Sequence, residues 1–227
     1  MPRHLLIVLL IFAACLQTQA QQVELMFSAG MASYSMRDLK KLNSSLQSQV
    51  PFETKVTDNF PMTLQLGGQF AVQLTKLYKM GIKYAYNSTG SRIAASDYSG
   101  SYRFDNVLSG HTIGMINSFL LFDHKAFRVD IQTNIGLVAS ILKMNEDLHV
   151  ADTSISTSTH YSSVGLFFEP LTEATYQWKY FKAGIFIGYF INPGGRITNE
   201  KGQKTTSTTN WSGFRFGIVI GIHQINR

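Results

Sequence analysis

His160-Tyr161-Ser162 sets a base and a nucleophile two residues apart, the spacing that puts both on one face of a strand. An acid must orient the imidazole, and the next carboxylate along the chain is Glu169. Seven residues past Ser162, it falls on the opposite face of a regular strand. His160 therefore reads as a polar residue at a loop edge. His111, His124, His149 and His223 are dispersed, and the single cysteine is Cys15, so no metal site and no cofactor are expected. Asn192-Pro193-Gly194-Gly195 is a turn and not a phosphate cradle, because neither a Lys-Ser/Thr pair nor an opening helix follows.

The larger chemical resource is a set of ionisable residues on the polar faces of alternating segments: Glu24, Lys79, Lys83, Arg103, Asp105, Arg128, Asp130, Glu169, Lys182 and Arg215. Enclosed together, such charges must pair or find water, since an isolated buried charge is costly. An internal network of ion pairs and amides that fills space is the expectation, with no catalytic residue in it.

The elements that carry these residues have a period of two. Between Phe60 and Leu74, Met62, Leu64, Leu66, Phe70 and Val72 share one face, and Thr63, Gln65, Gln69 and Gln73 share the other. Eight such strands are expected: 23–34, 60–74, 77–89, about 98–119 with a bulge near Asn106 to Ser109, 126–142, about 159–169, 178–191 and 211–225. Short turns are expected near Thr75-Lys76, Asp123-His124 and Leu171 to Thr175. Longer links are expected at 35–59, 90–97, 143–158 and 192–210. Long and short connections in alternation are the habit of an outer-membrane barrel, with the short turns periplasmic.

Met36 to Val50 has Leu39, Leu42, Leu46 and Val50 at helical spacing, with Ser35 and Asp38 resembling a capping box. It predicts a helix in the first outer loop, packed over the barrel mouth. The Thr/Ser tracts at 153–159 and 204–209 read as solvated outer loops. Tyr84, Tyr86, Tyr98, Tyr102, Phe119, Phe122, Trp178, Tyr180 and Trp211 cluster near strand ends, as interfacial girdles would.

Composition agrees. Of 227 residues only 15% are charged and 12% are aromatic. No apolar run of ~18 residues follows the N-terminus, so a helical membrane protein is excluded. The net charge of +6 is scattered, which argues against nucleic acid as a partner. Arg3 and His4, the apolar stretch from Leu5 to Ala14 and Thr18-Gln19-Ala20 read as a signal peptide over 1–20, leaving 21–227 as the barrel domain. Phe12-Ala13-Ala14-Cys15 loosely matches a lipobox, so lipidation of Cys15 stays open. Alternation alone does not say which face is the lumen, and a soluble cup has the same rhythm. Long strands, uneven loops and a polar face rich in Gly and Gln favour the membrane form. The expected fold is an all-β, eight-stranded, antiparallel up-and-down transmembrane β-barrel with a short helix in its first outer loop.

The first strand, the segment Ser35-Met36-Arg37-Asp38-Leu39-Lys40-Lys41-Leu42-Asn43, the Gly-punctuated strands and the closing strand resemble the PorT-like outer-membrane β-barrel domain family of Bacteroidetes-type envelopes, over roughly Gln22 to Arg227. The last strand, with Arg215, Gly217, Ile220 and Ile222, is similar to an outer-membrane insertion signal, although it ends Asn226-Arg227 without an aromatic. The resemblance implies location in the outer membrane of a Gram-negative-type cell more than a function, and the expected role is non-enzymatic: structural, surface-interaction or export-assembly. Expected partners are outer-membrane lipids and lipopolysaccharide, the insertion machinery and a protein at the outer loops. The alternatives are a narrow transporter of small apolar molecules and a lipid-modifying hydrolase. Of the latter, lipid A deacylases use a His-x-Ser pair with a downstream Glu, but Ser163 stands here where they have Asn.

Overall fold

A computed structural model describes residues 22–49, 55–98, 100–150 and 153–223. The expected signal peptide, Cys15, Val50 and the final residues lie outside the described residues. The chain runs β1 (Val23–Ala32), α1 (Arg37–Gln49), β2 (Lys55–Asn59), β3 (Thr63–Gln73), β4 (Tyr78–Asp97), β5 (Gly100–His124), β6 (Phe127–Val150), β7 (Thr153–Trp178), β8 (Phe181–Phe190), β9 (Gly195–Asn199), β10 (Lys204–Thr209) and β11 (Gly213–His223). All pairings are antiparallel. β1, β3, β4, β5, β6, β7, β8 and β11 follow one another around a ring that closes where β8 meets β7 and β11 meets β1. Closure pairs every strand in the ring on both sides, which is what backbone polar groups require in hydrocarbon.

The period-two pattern decides the faces. Along β8, Phe181, Ile185, Ile187 and Tyr189 point outward and exposed, while Lys182 and Phe186 point inward and are buried. β11 and β3 follow the same rule, with Phe214, Phe216, Ile218 and Ile220 outside against Arg215 and Val219 inside, and Leu64 and Leu66 outside against Gln65. The exposed apolar residues form a belt far larger than the patches monomers leave in water. From Phe181 to Ile191 the strand climbs about 26 Å, taking ~3.4 Å per residue and a tilt of ~40°. That height matches the ~25 Å apolar band of a membrane barrel.

Four boundaries differ from the sequence reading. The stretches 90–97, 143–150 and 153–158 are strand and not loop: β4 with β5, and β6 with β7, stay paired to Asp97↔Gly100 and Val150↔Thr153. These two ribbons rise beyond the belt, where water meets the outer face, so Ser and Thr occupy both faces and alternation disappears. The Thr/Ser tracts are strand for the same reason, as the upper part of β7 and as β10. No bulge re-phases Asn106 to Ser109, whose register with β6 is continuous. The irregularity lies between Leu120 and Phe122. The pattern blurs at Asn106 to Ser109 because Leu108 points into an apolar part of the lumen. Leu171 to Thr175 is not a turn but mid-strand, and the chain reverses at Lys179-Tyr180. Pro170 stops a strand only if its missing N–H faces a needed partner. Here the missing donor faces β8, at a gap between Phe168↔Ile191 and Leu171↔Gly188, while the ladder to β6 runs through Thr133↔Pro170 unbroken.

The helix sits over the mouth as expected, burying Leu39 fully and half-burying Leu42 and Leu46. Its start is not a capping box. The Asp38 carboxylate instead accepts from the Thr208 backbone N–H (3.0 Å) and hydroxyl (2.8 Å), tying α1 to β10.

Candidate functional site

The lumen is filled in three storeys. At the short-turn end, the Glu24 carboxylate accepts from Lys79 and Lys182, each at 3.1 Å. Lys79 also reaches Asp130 at 3.0 Å, Arg128 donates through Nε to both Asp130 oxygens, and Glu173 lies 3.6 Å from Lys182. Gln69 donates to Glu173 at 3.2 Å. These residues come from six of the eight ring strands, so the network laces the ring internally.

One storey higher, Lys83 donates to Glu169 at 2.6 Å, and Asn134 joins the same oxygen at 2.8 Å. The buried cations are Lys79, Lys83, Arg128, Lys182 and Arg215, against the anions Glu24, Asp130, Glu169 and Glu173. The excess cation is Arg215. It bonds Gln65 and Asn87, each at 2.6 Å, and the Trp211 carbonyl at 3.3 Å. Its guanidinium lies 4.4 Å over the Phe190 ring and 5.4 Å from that of Tyr34, so two aromatic faces and two amides hold a charge that meets no carboxylate directly.

The third storey is apolar. Trp211, Tyr34, Met36, Leu39, Leu108 and Leu142 form a cluster that closes the ribbon end. Trp211 is its keystone. Its indole N–H donates to Ser140 (2.8 Å), its backbone N–H donates to Asn192 (3.2 Å), and Tyr34 meets it edge-on at 5.1 Å. A Cβ on Gly110 would stand 2.7 Å from the indole, so glycine makes room for the ring. Trp211 is thus a correction to the girdle: it is 0% exposed, whereas Trp178 is 65% exposed. Tyr84, Tyr86, Phe119, Phe122 and Tyr180 do face outward in the belt's margins, and Tyr98 and Tyr102 stand beyond it on the ribbon.

Of the ten residues expected in the lumen, Glu24, Lys79, Lys83, Arg128, Asp130, Glu169, Lys182 and Arg215 line it. Arg103 and Asp105 do not. They lie on the outer face of the projecting ribbons, where Arg92 donates to Asp105 (2.6 Å) and Arg103 to Asp147 (2.9 Å). Strand alternation continues past the belt, but the outer face there is wet, so charge no longer marks the inside. Lys55, Ala94, Ser101, Arg103, Asp147 and His149 line a shallow hollow of about 490 Å³ on that face. Burial and the Glu146 carboxylate push the Tyr102 phenol up to about 12.

Hydrogen bonds from Ser156 and Arg103 hold the Asp147 carboxyl below its usual range. A carboxyl lowered by folding adds stability above its unfolded value near ~4 and loses it as pH falls through the folded value. The upper ribbon is therefore expected to loosen below about pH 4. Amide exchange of residues 143–158, compared at pH 6 and pH 3 after correction for intrinsic rates, checks this.

The sequence reading missed Glu173, Gln69, Asn134, Gln65 and Asn87 as network members. Glu173 lay in the segment taken for a turn. The amides carry no charge to flag them, although their place on the polar faces was legible. His160 and Ser162 are exposed on the outer face of β7, with His160 3.4 Å from Glu200. Glu169 is on the inner face, engaged with Lys83 and Asn134. The carboxylate beside His160 is therefore Glu200 and not Glu169. No group of His, Cys, Asp and Glu suited to a metal ion occurs among the described residues.

No family model matches the chain, and no curated protein is similar to it. Solved structures match over most of the chain at low similarity. Ail, the attachment invasion locus protein of Yersinia pestis, is 8% identical, with 91% of this chain and 100% of that chain covered and a TM-score of 0.44. Ail in complex with the heparin analogue sucrose octasulfate gives the same identity and coverage and a TM-score of 0.43. The outer membrane protein OprG from Pseudomonas aeruginosa is 11% identical, with 91% and 96% covered and a TM-score of 0.43. At this level the likeness carries no argument, and the fold stands on its own ring closure and register.

Proposed function

We propose that the protein is an integral outer-membrane β-barrel that conducts nothing and works through the surface it raises beyond the membrane. The observation that carries this is an apolar belt of membrane height around a lumen filled by ion pairs and sealed by the Trp211 cluster. Hydrocarbon is the solvent that such a belt requires, and the ion pairs and apolar cluster that cross the lumen stand in the way of a transport path. Glu169 sits on the inner face, away from His160 and Ser162, which counts against a lipid-modifying hydrolase built on those three residues.

Lipids and lipopolysaccharide surround the belt in this reading, the insertion machinery recognises the closing strand, and the helix, ribbons and hairpin face outward. The short turns face the periplasm. The PorT-like resemblance of the sequence is consistent with this location.

Two measurements test it on one preparation. Unboiled protein in mild detergent should migrate differently from boiled protein on a denaturing gel, with strand-rich circular dichroism. The same protein in planar bilayers should give no stable single-channel steps. Recovery in the aqueous periplasmic fraction would overturn the membrane reading, and steady conductance would overturn the sealed lumen.

A further inference from the structure

Beyond the belt the sheet is no longer closed, and among the described residues its margins are β2, β10 and the upper part of β7. Exposed strand edges invite pairing with other chains, so proteins usually blunt them by shortness, charge or bulges. β2 is blunted: it is short, carries Lys55 and Asp58, and shifts register between Val56 and Asp58. β10 is blunted too. It shifts register between Lys204 and Thr208, and the Asp38 carboxylate occupies the Thr208 N–H.

The upper edge of β7 has none of these devices. From Thr153 to His160 it pairs β6 on one side without a register shift. On the other side, β9 meets β7 only at Tyr161↔Asn199 and Ser162↔Thr198, and then turns back at Glu200 to Gly202. The open run Thr-Ser-Ile-Ser-Thr-Ser-Thr contains no Pro, Lys, Asp or Glu.

Which backbone groups are open follows from alternation. The Gln177 N–H bonds the Ala126 carbonyl on the β6 side, and the Phe168 N–H bonds the Ile191 carbonyl on the other side. With register unbroken, odd residues of β7 face β6 and even ones face away. Ser154, Ser156 and Ser158 thus present their N–H and C=O groups to the open edge, and His160, opposite Glu200, presents its N–H alone.

We infer that this edge receives an extended segment of another polypeptide as an added antiparallel or parallel strand. The chain's own β9 already pairs with the lower part of this edge, and the open part continues that interface. The side chains beside it set the sequence class. One face offers Ser154, Ser156 and Ser158, and the other offers Thr153, Ile155 and Thr157 next to Leu148. A segment that alternates small polar and β-branched residues fits both.

A second copy does not fit. Two barrels in one membrane stand the same way up, and strands tilted by ~40° would cross at about 80° when a two-fold along the membrane normal brings these edges together. That exclusion rests on the membrane reading, which heat-modifiability tests separately.

The experiment uses the full barrel in lipid nanodiscs and, as probe, a synthetic peptide of Thr-Val repeats with lysine ends. Amide exchange is followed by NMR. Without peptide, Ser154, Ser156, Ser158 and His160 should exchange fast, and Thr153, Ile155, Thr157 and Thr159 slowly. With saturating peptide the first set should slow by about tenfold or more while the second is unchanged. Ser156→Pro and Ser158→Pro, which remove an edge-facing N–H together with the side-chain bond to Asp147 or Asn145, should abolish the slowing and leave heat-modifiability intact. Ser156→Ala should retain it. Three results would overturn the inference: even-numbered amides already slow without peptide, no alternating response to peptide, or disulfide-linked dimers of a Ser156→Cys variant in native membranes.

Discussion

Trp211→Ala is expected to destabilise the barrel by about 3–5 kcal/mol, the range for removing a buried Trp or Phe from a well-packed core. The upper half of that range is favoured because the site cannot collapse. Ring strands hold its walls apart, so Tyr34, Leu108 and Leu142 cannot close in without breaking backbone pairs. The indole also satisfies Ser140, whose hydroxyl would be left buried. Trp211→Phe separates the two contributions. It keeps most of the volume, so it should cost about 1–3 kcal/mol, near the cost of one stranded polar group. Gly110→Val attacks the same contact from the other side, because its side chain must enter the space of an indole 2.7 Å from the ideal Cβ. Overpacking of this kind costs about 1–3 kcal/mol. Urea titration in lipid bilayers, with the folded fraction read from gel mobility, measures all three. A Trp211→Ala midpoint equal to that of the parent would show that the cluster does not hold the mouth closed.

Glu24→Gln is expected to destabilise by about 3 kcal/mol, at the low end for breaking a buried ion pair. The substitution keeps shape and volume and removes one charge from a lumen that already holds one cation in excess. Lys79 falls back on Asp130 and Lys182 on Glu173, which limits the loss. The decisive result is the double variant. Once Glu24 is neutral, Lys182 carries an under-compensated charge, so adding Lys182→Met should cost little more or restore stability. The sum of the single effects should exceed the double effect by ~1 kcal/mol or more. Strict additivity would mean that the pair does not interact, contrary to its 3.1 Å separation.

Both experiments probe an interior whose two halves differed in how openly the sequence announced them. The polar storeys were legible residue by residue: Glu24, Lys79, Lys83, Arg128, Asp130, Glu169, Lys182 and Arg215 all sit opposite apolar neighbours, and strand geometry turns that into one shared face. The number of ring strands and the short-turn end near Thr75 were legible for the same reason, and the turn expected at Asp123-His124 lies two residues on, at Lys125-Ala126. Period two is a local property that needs no knowledge of the partner strand.

Tertiary structure alone decided what depends on the surroundings. Ribbon lengths were hidden because water bathes the upper outer face, so Ser and Thr there mark neither inside nor outside, and Arg103 and Asp105 took the outer face instead of the lumen. The plug was hidden because Leu108, Leu142 and Trp211 point inward while being apolar, which reverses the signal that alternation relies on. Pro170 was tolerated because its missing donor faces a gap in pairing. Which carboxylate meets which cation was decided by register around a closed ring, a relation between strands far apart in sequence that no single strand contains.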